Sequence, residues 1–293
     1  MPCYKPIDAW YSNFLNPSGK PRLTFTPTKA ENPKERIELP CGRCIGCRLD
    51  KSKEWALRCY HESQMHQENI FLTLTYDDYH IPEHESLDKT HFQKFIRALR
   101  QSSKQKIRFY MCGEYGDETN RPHYHALLFG YDFKDKLVWR HDENTRIYRS
   151  AELEKHWDHG NSEIGACTFQ SAGYIARYIL KKLNGQRAKS HYGKREPEYI
   201  AMSNHPGIGK SWYKEYKNDI FPSDFCVTPN GRQMQVPQYY RNLLALEDPE
   251  LYEKLRALRI EKAKDNPNNT EQRRKDGLII QTQKAERLKR DFL

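Results

Sequence analysis

Between residues 70 and 129 the chain carries, in order, a strand, a helix and two strands. Ile70-Phe71-Leu72-Thr73-Leu74-Thr75-Tyr76 alternates apolar residues with threonine, the period of a half-buried strand. Residues 90–101 place Phe92, Phe95, Ile96 and Leu99 at i, i+3, i+4 and i+7, an amphipathic helix. Residues 107–112 put Ile107, Phe109 and Met111 on one face of a second strand. A loop over 113–122 leads into the third, His123-Tyr124-His125-Ala126-Leu127-Leu128-Phe129. A short strand over 164–169 and a helix over 171–183 extend the series. This order predicts an α+β domain with an antiparallel sheet and helices on one face.

The flanks read differently. Residues 1–47 are rich in Pro, Asn and Gly and predict an irregular extension, followed by a helix over about 49–67. Residues 131–162 are charged and less regular, and 184–230 are loop-rich. Helical patterns cover 239–262 and 271–292, separated by Asp265-Asn266-Pro267-Asn268-Asn269. No internal repeat is visible. The expected division is an N-terminal extension with a helix over 1–66, a central domain over 67–225, and a charged, mainly helical region over 226–293.

The net charge of +10 favours a polyanionic partner, although a basic protein without one has the same composition. Aromatic residues make up 12% of the chain, with 19 Tyr, which suits stacking on unpaired bases as well as core packing. No apolar run approaches the roughly 20 residues of a membrane span, and Met1-Pro2-Cys3-Tyr4-Lys5-Pro6 lacks a signal-peptide core. A cytosolic protein with no membrane partner is expected. Its 8 Cys then read as thiols or metal ligands rather than disulfides.

His123 and His125 stand two apart in a strand, so both imidazoles project from one face, a ready pair of metal ligands. The alternative is two polar residues on a half-exposed strand. If the strands over 107–112 and 123–129 pair as a hairpin, Glu114 reaches the same face. Two imidazoles and a carboxylate leave coordination positions open for a phosphate.

In the helix over 171–183, with Tyr174 at zero, Tyr178 falls near 40° and Lys181 near −20° at about 100° per residue. Ile175, Ala176, Ile179, Leu180 and Leu183 fall opposite. The tyrosines thus lie beside Arg177 and Lys181, away from the aliphatic stripe. They read as phosphate-facing nucleophiles, with Lys181 stabilising a phenolate, or as an ordinary core or surface stacking pair.

Cys41-x-x-Cys44-x-x-Cys47 has the spacing of thiolate metal ligation. A structural Zn²⁺ requires a fourth ligand, for which Cys3 is the first choice and Cys59 the second. An iron–sulfur cluster would use the same residues, and three reduced thiols in a loop are the alternative. Cys112, Cys167 and Cys226 are isolated and read as small core residues.

Together these features resemble the HUH endonuclease superfamily, in which a strand with His-hydrophobic-His precedes a helix with one or two nucleophilic tyrosines. Arg121-Pro122-His123-Tyr124-His125-Ala126-Leu127-Leu128-Phe129-Gly130 is similar to the family's second motif. Tyr174-Ile175-Ala176-Arg177-Tyr178-Ile179-Leu180-Lys181-Lys182 is similar to the third, and Phe71-Leu72-Thr73-Leu74-Thr75-Tyr76 to the first. All stand in family order over residues 70–183. The paired tyrosines resemble the two-tyrosine initiators of small isometric single-stranded DNA bacteriophages. Leu39-Pro40-Cys41-Gly42-Arg43-Cys44-Ile45-Gly46-Cys47-Arg48, followed by Glu54-Trp55-Ala56, is similar to the gokushovirus-type replication initiators. In related viral initiators a Glu in a Gly-Glu-x-Gly segment is the third metal ligand, the place held by Glu114. Tyr124 is a departure, a large aromatic between the two His.

The resemblance implies an RRM/ferredoxin-like sheet carrying the His pair, with the tyrosine helix packed near it. It implies Mg²⁺ or Mn²⁺ at Glu114, His123 and His125, and a 5′-phosphotyrosyl intermediate on Tyr174 or Tyr178. The implied activity is nicking and rejoining of single-stranded origin DNA in rolling-circle replication, in the host bacterial cytoplasm. Host polymerase and a host helicase are the further partners. Two other readings are a transposase or relaxase with the same site, and a non-catalytic zinc-stabilised nucleic-acid-binding module.

A chain of charge +10 acting on single strands should bind them less tightly as salt rises, because phosphate contacts release counterions. Filter binding across a salt series should show this fall, with a hairpin origin bound more tightly than random single strands. Equal affinity for duplex and single strands at every salt concentration would contradict an unpaired substrate.

Overall fold

A computed structural model describes residues 3–16, 21–117, 119–141, 146–178, 186–264 and 266–287. The chain divides into two compact units, one of residues 1–51 with 259–293 and the other of residues 52–258. These boundaries differ from those expected at 66 and 225, because the smaller unit draws on both ends of the chain.

In the smaller unit β1 (Ile7–Leu15), β2 (Pro21–Thr24) and β3 (Ile37–Leu39) form an antiparallel sheet in the order β2–β1–β3. The irregular extension expected over 1–47 is therefore corrected. β1 buries Ala9, Trp10 and Ser12, without a strict period of two, and its pairing with β2 shifts register between Tyr11 and Leu15. Neither feature leaves an alternation to read. α1 (Ile45–Ser63) follows, its first residues in this unit and the rest in the larger one.

The larger unit is built on a sheet of seven strands among the described residues. β4 (Asn69–Thr75) is followed by α2 (Lys89–Ser103), β5 (Arg108–Tyr115), β6 (Pro122–Phe129), β7 (Leu137–His141) and β8 (Arg146–Arg149). Then come α3 (Ala151–His156), β9 (Ser162–Ala166), α4 (Phe169–Arg177), α5 (Gln186–Tyr192) and β10 (Tyr199–Met202). The strands lie in the order β10–β5–β6–β4–β9–β8–β7, and every pairing is antiparallel. The α+β class and the antiparallel sheet are as expected.

Alternation sorts the side chains to two faces. On one, Ile70, Leu72 and Leu74 of β4, Met111 of β5 and Ala126 and Leu128 of β6 meet Phe92, Phe95, Ile96 and Leu99 of α2. Burying each large apolar side chain contributes ~1.5–3 kcal/mol. On the other, Tyr110, Cys112, Leu127 and Phe129 meet Ala56 and Cys59 of α1 and Ala172 and Ile175 of α4. Helices thus cover both faces, which corrects the expectation of one. The near-continuous burial of β5 and β6 requires this second layer.

Other boundaries also move. The charged stretch 131–162 contains the β7–β8 hairpin and α3. The strand expected to reach residue 169 ends at Ala166, because Thr168 caps α4 in a capping box with Ser171. In the loop-rich stretch after residue 184, β10 adds an edge to the sheet, and α6 (Lys210–Ile220) precedes the hairpin β11 (Phe225–Val227) and β12 (Gln233–Gln235). The helical pattern of 239–262 is two helices, α7 (Gln238–Glu247) and α8 (Pro249–Lys264), broken where Pro249 opens the second and Asp248 accepts from the Leu251 amide at 3.0 Å. α9 (Glu271–Arg287) ends the described chain.

Tyr124, the residue between the two His, is wholly buried on the α2 face. Its hydroxyl donates to the Asp88 carbonyl at 2.7 Å and accepts from the Asp88 amide at 3.0 Å, at the N-cap of α2. Tyr76 shares a hydrogen bond with the same hydroxyl at 2.7 Å.

Gly160 closes the turn before β9 with φ +151°. A Cβ there would lie 2.4 Å from the Asp77 amide nitrogen and 2.6 Å from the Thr75 carbonyl oxygen, both backbone atoms that cannot swing away. Gly160→Ala should therefore destabilise the protein by ~1–3 kcal/mol or more in urea unfolding. An unchanged midpoint would show that the turn relaxes freely.

Candidate metal and tyrosine site

In the β5–β6 ladder Glu114 stands opposite His123, and Cys112 opposite His125. All four side chains share the face covered by α1 and α4. His123 Nε2 lies 2.8 Å from Glu114 Oε1, and His125 Nε2 lies 3.0 Å from the same oxygen. Glu114 is 1% exposed and His125 5%. Burial by itself raises a carboxyl, but hydrogen bonds from the two imidazoles outweigh it and hold Glu114 at about 2. The sequence-predicted trio is thus brought together, and its ligand atoms lie within 4.8 Å of one another, as a metal ion requires.

Each imidazole is oriented through its other nitrogen. His123 Nδ1 donates to the Arg121 carbonyl at 3.1 Å, which fixes the ring and turns Nε2 toward Glu114. His125 Nδ1 shares a hydrogen bond with the Thr73 hydroxyl at 3.1 Å. Thr73 pairs with His125 across the β4–β6 ladder, and two residues earlier Phe71 stacks on the His125 ring at 5.5 Å. Sequence reading missed both supports. The signal was there in β4, whose Thr positions have the parity that reaches the His face.

α4 brings the tyrosines to the same place. The Tyr174 ring centroid is 5.1 Å from that of His125 at 78°, and Tyr178 stacks on His125 at 5.6 Å and 16°. The two phenol rings are 4.9 Å apart and nearly perpendicular. α4 runs to Arg177 with Tyr178 as its cap, and residues 179–183 of the helix expected over 171–183 lie outside the described residues. The tyrosines do not lie on a face away from the core: both pack with Ile175 against the sheet, where Phe71 and His125 offer them an aromatic surface. Lys181 falls outside the described residues. Arg177, between the tyrosines in sequence, has its guanidinium lowered by burial and raised in turn by Tyr178 and Tyr174.

Burial pushes the Tyr174 phenol up to about 12, against a hydrogen bond from Tyr178 and with the Glu114 charge adding to the rise. Tyr178 is raised still further by burial, Glu114 and Tyr174. Both phenols therefore hold their protons at neutral pH, and a phenolate requires added positive charge.

Cys3, Cys41, Cys44 and Cys47 converge separately, in the smaller unit. Cys59 does not join them; it is buried against the sheet, and burial raises its thiol.

The family model for replication-associated protein ORF2/G2P matches residues 69–183, which hold this whole constellation. The chain is 36% identical to replication-associated protein VP4 of Bdellovibrio phage phiMH2K over 85% of its own length and 79% of the relative's. It is 33% identical to replication-associated protein ORF2 of Spiroplasma virus 4, covering 69% of this chain and 66% of that one. It is 30% identical to replication-associated protein ORF4 of Chlamydia phage 1, covering 70% and 53%. No solved structure matches the chain.

Thr73→Val keeps the shape and removes the hydroxyl that orients His125. It should lower Mn²⁺ affinity by about 10- to 100-fold in calorimetric titration, the usual effect of losing a group behind a metal ligand. An unchanged affinity would mean that ring stacking alone orients His125.

Proposed function

Because the chain belongs to the gokushovirus replication-associated proteins, and because two tyrosines pack on a His–His–Glu cluster, we propose that it is a nicking and strand-joining enzyme for single-stranded origin DNA. The observation that carries this reading is the contact of both phenol rings with His125, itself in contact with Glu114. A stacking-only module has no need of that cluster.

The donor set fits Mg²⁺ or Mn²⁺. Two neutral imidazole nitrogens and one carboxylate oxygen converge, Glu114 supplies the charge, and a three-ligand site leaves positions for water and a phosphate oxygen. When bound, the ion supplies positive charge that polarises the scissile phosphate and favours a phenolate.

The chain's own residues do the rest. One tyrosine gives up its proton and its oxygen attacks phosphorus. The bond from phosphorus to the 3′ oxygen breaks, and that oxygen takes up a proton to become a 3′-hydroxyl primer for host polymerase. The 5′ phosphate is now a tyrosyl ester, so the energy of the phosphodiester is kept and rejoining needs no ATP. After a round of synthesis the second tyrosine cleaves the regenerated origin in the same way. The freed 3′-hydroxyl then attacks the first phosphotyrosine, the phenol leaves, and a circle closes. Rings 4.9 Å apart let either tyrosine reach one phosphate with a small shift. Arg177, and Lys181 four residues later in the sequence, are the proposed cations for the phenolate and the phosphate.

Incubation with single-stranded origin DNA and Mn²⁺ should give an adduct resistant to denaturing detergent, and EDTA should abolish it. Tyr174→Phe and Tyr178→Phe should each retain some single-turnover cleavage and lose circle production, while the double variant forms no adduct. Phe keeps the ring packing, so a loss reports the hydroxyl. Adduct mapped wholly to one tyrosine, with circles still released by the other's Phe variant, would refute the two-tyrosine exchange.

A further inference from the structure

We infer that Cys3, Cys41, Cys44 and Cys47 form a tetrathiolate site for a single zinc ion, which staples the smaller unit together. The reading is independent of the nicking site. All four sulfurs lie within 4.8 Å of one another, although Cys3 comes from the far side of β1 and β3 in the chain. Zinc–sulfur bonds of about 2.3 Å in a tetrahedron put neighbouring sulfurs about 3.8 Å apart. The Cys3 and Cys44 sulfurs are separated by 3.8 Å. A disulfide would hold its sulfurs at about 2.05 Å. An iron–sulfur cluster places a core of iron and sulfide between its thiolates and spreads them wider than a single ion does. The spacing is that of one metal ion.

The backbone is arranged for thiolates. Amides donate to the sulfurs at three of the corners: Cys41 N to Cys3 Sγ at 3.2 Å, Cys44 N to Cys41 Sγ at 3.3 Å, and Tyr4 N to Cys44 Sγ at 3.4 Å. Arg43 N also donates to Cys41 Sγ, at 3.5 Å. Bonds of this kind stabilise negative sulfur and orient it toward a shared ion. Gly42 makes the turn possible, with φ +69° between Cys41 and Cys44. Cys47 then rises from the first turn of α1.

A staple is needed here. Among the described residues of this unit the buried apolar side chains are Tyr4, Ala9, Trp10 and Cys44. So little core cannot offset the cost of ordering three strands and a helix, and small units of this kind rely on metals or disulfides. The site also reaches the end of the chain. Tyr4, next to Cys3, seats its ring on Gly277 of α9, where a Cβ would come within 2.7 Å of it. Arg274 of α9 donates to Glu38, three residues before Cys41, at 3.0 Å. Metal loss should therefore loosen residues 3–51 and α9 together.

The test uses the full chain with His123→Ala and His125→Ala, so that the other candidate site takes no metal, purified without chelator. Elemental analysis and native mass spectrometry should find about one zinc ion per chain. Cys3→Ser with Cys47→Ser should lose it, and Cys167→Ser should keep it. Because the double Ser variant can fail by misfolding, the unmutated chain is also loaded with Co²⁺, which should give the sulfur-to-metal charge-transfer and visible bands of tetrahedral thiolate cobalt. Stripping the metal with an organomercurial and a chelator should raise proteolytic cleavage within residues 3–51 and 259–287. Iron in place of zinc, no metal in the folded chain, zinc retained by the double Ser variant, or cleavage that ignores metal removal would each overturn the assignment.

Discussion

The antiparallel register of β5 against β6 sets Glu114 across from His123, and most of the site depends on that pairing. In a sheet the side-chain period is two, so a slip of one residue would move the carboxylate to the α2 face and leave both imidazoles without it. The register is held from outside the site. Tyr124 is locked to the N-cap of α2, and β4 pairs with β6 from Asn69 to Thr75, which carries Thr73 to His125. The chemistry on one face is thereby fixed by apolar packing on the other.

Electrostatics then follows from geometry. A carboxylate as buried as Glu114 would be neutral if it stood alone; the imidazoles keep it charged. Burial raises both phenols, and that retained charge adds to the rise, since a phenolate beside an anion is disfavoured. Tyrosines beside such a cluster are protonated, and in the proposed reaction their reactivity depends on the positive charge of a bound metal ion and nearby cationic side chains. In the nicking reaction proposed above, idle phenols are a safeguard against stray covalent attachment to DNA.

The parts that were legible in the sequence share strict periodicity. The alternation of residues 70–76 and the i, i+3, i+4, i+7 spacing of Phe92, Phe95, Ile96 and Leu99 gave β4 and α2 their correct places. His123, His125, Glu114 and the tyrosine pair were found from spacing and family resemblance together. What stayed hidden lacked periodicity. β1 carries a register shift, β10 is four residues long, and β7 is exposed along its whole length, so none shows a core-facing stripe. The second helical layer was hidden because strands buried on both faces lose their alternation. Cys3 could be proposed as the fourth thiol but not placed, because nothing local ties residue 3 to residue 44.

The position between the two His is a packing position. Tyr124 fills the space bounded by Phe92, Trp157 and Tyr76, and its hydroxyl ends at the backbone of Asp88. A homologue with a small aliphatic residue there would leave a void the size of a phenol unless a neighbour grew to fill it. Covariation is therefore the trace this arrangement should leave in evolution: positions 76, 92, 124 and 157 should change volume in concert, while the flanking imidazoles stay constant. The motif is an imidazole pair on one side and a keystone on the other, and its two kinds of position should drift at different rates.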